Sequence, residues 1–415
     1  MVFGSTSPAS VQSITLPVVA ENQPGRAPRS TQNRMTTDTN FADYAARLRD
    51  FIRRNSSETP PATPEKHESS FNDLALALFP LQLAHNPAYA RFCARRGGTR
   101  AAGWRDIPAV PASAFKELEL TSLPAAERTT VFHSSGTTEQ TPSRHFHSAA
   151  SLALYEASLR PWFRAHLLAD GDKLPFVSLT PSRVLAPHSS LVHMFATVGR
   201  EFGQGEALFA GTLDGGGTWS LDGENVLAAL REFIRARQPV ALLGTAFNFV
   251  HLLDHLAGGT LRLPAGSRVL ETGGYKGRSR ALPKAELHAL LTSRLGLPPS
   301  HIVCEYGMSE LSSQAYDHVA GQAESAEGET RTFRFPPWAR AQIISPETGR
   351  EVGEGESGLL RIVDLANVHS VMAIQTEDLG TRRGGGFELL GRAPQAEPRG
   401  CSLQTTLAPT VNRKS

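Results

Sequence analysis

The chain has 415 residues, 42 Lys+Arg against 40 Asp+Glu, a formal net charge of +2 and 40% apolar residues. That length allows two or three domains or one large core with attachments, and the apolar share is enough for a sizeable core. The balanced charge gives no electrostatic ground for nucleic acid or an anionic membrane as partner; no apolar run is long enough to span a bilayer; and three scattered cysteines (Cys93, Cys304, Cys401) form no disulfide framework, which points to a reducing, cytoplasmic setting.

Residues 1–40 are rich in Ser, Thr, Pro, Gln and Asn and read as a disordered tail without a secretory signal, with Met35 as an alternative start. Phe41, Tyr44, Leu48 and Phe51 recur at spacings of three and four, which predicts a short helix over Phe41–Arg54. Residues 56–70 (SSETPPATPEKHESS) read as a linker, so that 41–70 is helix plus linker. A helical region follows over 71–96, with expected interruptions at Pro80 and at Asn86–Pro87. Further on, short apolar runs at 174–179, 240–243, 269–271 and 302–305 alternate with helical stretches at 151–166, 223–237, 246–256 and 283–295. The alternation predicts an α/β core over 71–330 with buried, largely parallel strands. Over 331–415 the helices fade and runs at 341–344, 358–364, 370–375 and 387–390 predict a β-rich subdomain.

Four segments carry candidate chemistry. Ser134, Ser135, Gly136, Thr137 and Thr138 follow an apolar stretch at 129–132. Their backbone N–H groups and hydroxyls suit a polyphosphate, although a polar surface turn would read the same way. No Gly-Lys-[Ser/Thr] follows, so this is not a Walker A loop, and Arg144 is the nearby cation. In Glu271-Thr-Gly-Gly-Tyr-Lys-Gly-Arg278, Gly273 and Gly274 permit close approach to a flat ligand and Lys276 and Arg278 offer anion contacts; a basic surface loop is the alternative. Glu305-Tyr-Gly-Met-Ser-Glu310 sets an aromatic face (Tyr306) beside a hydroxyl (Ser309) and a carboxylate (Glu310) able to hold Mg²⁺; the alternative is a half-buried tyrosine and a helix-end charge. Gln375-Thr-Glu-Asp-Leu-Gly380 presents Asp378 at the end of a β-run, suited to vicinal hydroxyls or to an ordinary turn. The 14 histidines show no metal-ligand spacing: His145 and His147 read as polar strand or loop residues and His188 as a structural residue or part of an acyl site. Cys304, inside an apolar strand, and Cys93, on a helix, read as structural. No Gly-x-Ser-x-Gly elbow is present, which argues against a serine hydrolase.

The order of these segments, closed by Gly391-Arg392, resembles the adenylate-forming enzymes (the acyl-CoA synthetase, adenylation domain and luciferase superfamily). The likeness is narrower to the acyl-protein synthetases of the LuxE type. Phe71-Asn-Asp-Leu-Ala-Leu, His85-Asn-Pro-Ala-Tyr, Ile107-Pro-Ala-Val-Pro-Ala-Ser-Ala-Phe-Lys116, and the stretch from Gly391-Arg-Ala-Pro to Arg399-Gly-Cys-Ser402 carry it, over residues 40–405. The resemblance implies an adenylate-forming α/β fold of mixed sheets and helices with a β-rich terminal subdomain. It implies ATP-dependent activation of a carboxylic acid, in this branch a fatty acid, to an acyl-adenylate. By the same resemblance, Ser134 to Thr138 are the phosphate loop, Gly273 and Gly274 the adenine-side wall, Tyr306 the adenine stack, Ser309 and Glu310 the phosphate and Mg²⁺ contacts, Asp378 the ribose ligand and Arg392 the hinge residue. Cys401, with Arg399 close by, is the implied acyl acceptor, and an acyl-accepting reductase or transferase the implied partner. Two departures stand out. The phosphate loop lacks the usual Gly-x-Pro-Lys continuation, and the chain ends at Ser415, soon after Arg392, without the mobile C-terminal domain and its catalytic lysine. Lys276 or Arg144 is expected to replace that cation at the α-phosphate. Two other readings remain: an acyl- or aryl-CoA ligase with CoA as acceptor, and a nucleotide-binding scaffold without catalysis.

Overall fold

Helix α1 (Phe41–Arg54) starts where the Asn40 side chain accepts the Asp43 N–H and ends on Arg53 and Arg54, charges that suit the negative end of the helix dipole. Its face of Tyr44, Leu48, Phe51 and Ile52 is buried, as the spacing predicts. The structure is a computed structural model that describes residues 40–56, 64–134, 141–171, 173–214, 218–273, 282–322 and 331–393, all within the unit Thr39–Ser415. Helix α2 (Pro64–His85) corrects two expectations. It begins inside the stretch read as linker, on a proline that the first helical turn accepts, and it runs through Pro80. A mid-helix proline is unfavourable by about 3 kcal/mol. Here buried Leu78, Phe79 and Gln82 anchor the helix on both sides of it. The Asn86–Pro87 break is real: Asn86 caps α3 (Pro87–Arg95) by accepting the Tyr89 N–H.

Next come β1 (Val110–Pro111), the single turn α4 (Ala114–Glu117), the hairpin β2 (Thr130–His133) and β3 (Arg144–His147), and α5 (Ala149–Leu167). The chain continues through β4 (Phe176–Ser178), α6 (Ser190–Phe202), which the apolar pattern did not single out, β5 (Leu208–Phe209), the pair β6 (Gly211–Leu213) and β7 (Trp219–Leu221), and α7 (Gly223–Ala236). Then follow β8 (Ala241–Thr245), α8 (Ala246–His255), β9 (Arg268–Thr272), α9 (Lys284–Leu295), β10 (Ile302–Tyr306) and β11 (Ala315–Tyr316). The final run is β12 (Ala339–Ile344), β13 (Ser357–Asp364), β14 (Ala373–Arg383) and β15 (Gly386–Arg392).

Two sheets organise these elements. One has the order β11-β10-β9-β8-β4-β5, with β10, β9, β8, β4 and β5 parallel and β11 antiparallel at the edge. Its central strands are buried throughout, which explains their unbroken apolar runs. The other has the order β1-β14-β13-β12, with β15 also on β14. Its strands are antiparallel except for β1, which runs parallel to β14. The strand expected to end near Gln375 instead begins at Ala373 and continues to Arg383, so Asp378 lies within a strand rather than at its end. One apolar cluster joins α1, α2 and α3 (Tyr44, Phe71, Tyr89) to the second sheet (Ile362, Ile374, Phe387).

Candidate functional site

The parallel strands β9 and β10 end at Thr272 and Tyr306, and the crevice beyond the carboxyl ends of such strands is the usual ligand position in α/β sheets. Tyr306 is 7% exposed. Its ring stands steeply inclined to Phe333, Phe335 and Phe387, with centroids at 6.2, 6.2 and 5.4 Å. Its hydroxyl donates to Asp378 Oδ2 at 2.8 Å, and Arg392 Nε lies 3.6 Å from Asp378 Oδ1. Register explains this triad: β14 pairs Asp378 with Arg392 of β15. Burial pushes the Asp378 carboxyl up, while the Tyr306 hydroxyl and Arg392 pull it back. A Cβ at Gly307 would meet Glu305 Oε1, so the Glu305 side chain would have to shift to admit one.

Beyond Gly307 the chain turns back, and the β2–β3 hairpin meets it. Ser309 Oγ donates to Glu310 Oε2 at 3.1 Å and lies 3.4 Å from Ser143 Oγ. Ser143 in turn closes the base of the loop: its N–H donates to Ser134 Oγ at 3.0 Å, and Ser134 N–H donates to Ser143 Oγ at 3.3 Å. His145 donates Nδ1–H to the Ser309 carbonyl oxygen at 2.9 Å. Glu310 is 5% exposed; burial pushes its carboxyl up, opposed by the hydroxyls of Ser143 and Ser309 and by the charge of Arg392. Arg392 thus acts on both Glu310 and Asp378, which puts the two carboxylates in one electrostatic neighbourhood. Ser134, Ser143, Ser309 and Glu310 offer only oxygen donors, the set Mg²⁺ and its phosphate partners take.

A buried scaffold holds this turn. Asn367 Nδ2 donates to the Glu310 carbonyl at 2.8 Å, and Gln82 of α2 clamps the same segment by donating to Asn367 O and accepting from Met372 N–H. Asp364, fully buried, accepts from Ser312 N–H, Ser313 Oγ and Ala366 N–H. The chain continues from Ser313 Oγ to Ser158 Oγ at 2.9 Å, which accepts from Trp338 Nε1 at 2.7 Å. Burial raises the Asp364 carboxyl to about 6 and the Glu305 carboxyl to about 7.

Ser134, Gly273, Tyr306, Ser309, Glu310, Asp378, Arg392 and Arg144 fall in the described part of the chain. Ser135, Gly136, Thr137, Thr138, Gly274, Lys276 and Cys401 lie outside it, as do Arg278 and Arg399. Arg144 Nη1 sits 3.7 Å from Glu119, and Arg144 Nε is buried with no hydrogen-bond partner among the described residues. His188 stacks on His133 at 4.7 Å and bonds the Val131 carbonyl. Sequence reading passed over Ser143, His145, Asn367 and Gln82 as site residues. The one local signal was the position of Ser143 and His145 just after the hydroxyl-rich loop.

Comparison with known proteins gives the following. A family model described as acyl-protein synthetase, LuxE, matches residues 56–408. A long-chain-fatty-acid–luciferin-component ligase of Vibrio harveyi is 25% identical over 342 residues, which cover 79% of this chain and 85% of that protein. A protein of the same description from Aliivibrio fischeri is 25% identical over 197 residues, 44% of this chain and 49% of that protein, so this match spans about half of each. Among solved structures, an open conformation of 2-hydroxyisobutyryl-CoA ligase in complex with 2-HIB-AMP and CoA aligns with a TM-score of 0.54. That alignment covers 81% of this chain and 80% of the other at 13% identity, and it shows the adenylate-forming fold.

Proposed function

The chain belongs to the acyl-protein synthetase, LuxE, family, and on that premise we propose that it activates a long-chain fatty acid with ATP and passes the acyl group to a thiol of its own. It is an adenylate-forming ligase of the acid–thiol kind. The observation that supports ATP-dependent activation is the convergence of Ser134, Ser309 and Glu310 with Tyr306, Asp378 and Arg392 beyond the ends of β9 and β10.

In the first step a carboxylate oxygen of the acid attacks the α-phosphorus of ATP, and pyrophosphate leaves with the electron pair of the broken P–O bond. The loop from Ser134 to Thr138 cradles the phosphates with N–H and hydroxyl donors. Glu310 and Ser309 would hold Mg²⁺, which when bound would supply charge neutralisation at the phosphate oxygens. Asp378, oriented by the Tyr306 hydroxyl, has lone pairs left for the two ribose hydroxyls. Tyr306 borders the adenine, with Gly273 and Gly274 as the facing wall. Arg144 or Lys276 balances the charge that builds on the α-phosphate. In the second step the thiolate of Cys401 attacks the acyl carbon and AMP leaves. The resulting thioester is delivered to a partner reductase, in keeping with the luciferin-component name of the relatives. CoA is the rival acceptor, since the fold neighbour holds it.

The test separates the half-reactions. Pyrophosphate exchange dependent on a long-chain carboxylate is expected in the parent and in Cys401→Ser alike. Label from a tagged fatty acid plus ATP is expected on the parent only, sensitive to hydroxylamine and mapped to Cys401. Absence of carboxylate-dependent exchange overturns acid activation. Acyl-CoA formation with no protein label hands the second step to the CoA reading.

A further inference from the structure

Apart from the nucleotide side, the same two strands bring a second set of donors together. Parallel pairing of β9 with β10 places Glu271 directly beside Cys304, and α9 lays His288 across them. Cys304 Sγ lies 3.0 Å from Glu271 Oε2, His288 Nε2 lies 3.4 Å from that same oxygen, and Sγ and Nε2 are 3.5 Å apart. Bond lengths of about 2.3 Å to sulfur and about 2.0–2.1 Å to nitrogen or oxygen put the donors of a tetrahedral Zn²⁺ about 3.3–3.6 Å apart. The observed triangle matches two of these edges and is shorter on the third, a difference that a small rotation of either side chain removes.

From this geometry we propose that Glu271, His288 and Cys304 form a binding site for Zn²⁺ or a similar thiophilic divalent cation, with water as the fourth ligand. The donor set of one thiolate, one imidazole and one carboxylate is of the kind such ions take. Charge supports it. Thiolate and carboxylate together carry −2 against the +2 of the ion, the thiol proton leaving to solvent on binding. The nearby Lys284 ammonium is charge-paired with Asp317, its Nζ donating to Asp317 Oδ2 at 2.9 Å, and it also faces the Cys304 sulfur. Asp317 also supports the site from behind, accepting the Cys304 N–H at 2.7 Å. Glu271 and Cys304 are buried, whereas the His288 side chain is 16% exposed and gives the ion a way in. The donors stand at both ends of the β9–α9 connection and two residues upstream of Gly273 and Tyr306, so an ion there ties α9 to the strands that lead into the nucleotide side.

The experiment uses the full chain, stripped with a chelator and titrated with Zn²⁺ and, separately, with Co²⁺. One equivalent of Zn²⁺ is expected to bind and to raise the melting temperature by about 3 °C or more. One equivalent of Co²⁺ is expected to show a thiolate-to-metal charge-transfer band. Cys304→Ser should lose the band, and His288→Gln, a change at a partly exposed position, should weaken Zn²⁺ at least tenfold with an unchanged circular dichroism spectrum. Cys401→Ser should keep both band and stoichiometry. No bound Zn²⁺ with no cobalt–thiolate band in the parent, or a band lost in Cys401→Ser and kept in Cys304→Ser, overturns the proposal.

Discussion

Replacing Glu310 by glutamine should move stability and activity in opposite directions. The side chain is 5% exposed, its Oε2 accepts from Ser309 Oγ at 3.1 Å, and burial holds its carboxyl above the ordinary range despite the hydroxyls of Ser143 and Ser309. A folded-state value raised above the unfolded one means that the ionised carboxylate opposes folding above the unfolded value, and that this penalty fades as pH falls through the folded value. Glutamine has the same shape, and the two serine hydroxyls can accept from its amide. The Asn367 bond goes to the Glu310 backbone carbonyl and is untouched. Removing a poorly compensated buried charge is worth on the order of 1 kcal/mol, or about 2 °C in melting temperature. The same change takes a charged oxygen from the position proposed to hold Mg²⁺ and phosphate, a loss of about 3–4 kcal/mol or a rate lower by about 10²–10³. Calorimetry and carboxylate-dependent pyrophosphate exchange at limiting Mg²⁺ read the two effects, and the stability gap should narrow on acidification. An exchange rate within about threefold of the parent, under about 1 kcal/mol, would remove Glu310 from the site. A melting temperature lowered by several degrees would show that its charge is a structural requirement.

Three further outcomes are expected. Burial holds His145, His166, His193 and His369 down at about 4, and His147 well below its ordinary value, so acid must charge groups that the fold keeps neutral. Stability should therefore fall between about pH 6.5 and 4; the raised carboxyls of Glu305, Glu310, Asp364 and Asp378 act oppositely but are fewer, and a melting temperature that climbs through that window refutes the argument. Phe387→Ala empties a fully buried position against Tyr306, Phe333 and Phe335, and urea unfolding should show a loss of about 3–5 kcal/mol; under about 1 kcal/mol would contradict the packing. Ser158→Ala strands Trp338 Nε1, while Ser313 Oγ keeps its bond to Asp364, at about 1–3 kcal/mol by the same measurement, whereas Thr212→Ala on the exposed β6–β7 pair should lie within about 0.5 kcal/mol of the parent.

What could be read from the residues alone was what is local in the chain. The face of α1 is a repeat within one helix, so its extent follows from the spacing of Phe41, Tyr44, Leu48 and Phe51. The strands β8, β9 and β10 are buried on both faces, so their apolar runs announce them. The segments at Ser134, Gly273, Tyr306 and Asp378 are each short and contiguous in the chain, so their order pointed to the adenylate-forming likeness before any contact was known. Tertiary structure decided the rest. Helix α2 survives Pro80 because Gln82 and Phe79 are locked against other elements, a gain that no local propensity contains. Register sets the pairing of Asp378 with Arg392, and a slip of one residue would turn Asp378 to the other face. The bonds from Gln82 to Asn367 and from His145 to the Ser309 carbonyl join residues 285 and 164 positions apart. Glu271, His288 and Cys304 showed no metal-ligand spacing for a similar reason: sheet pairing and helix packing, rather than sequence separation, bring them within reach of one another.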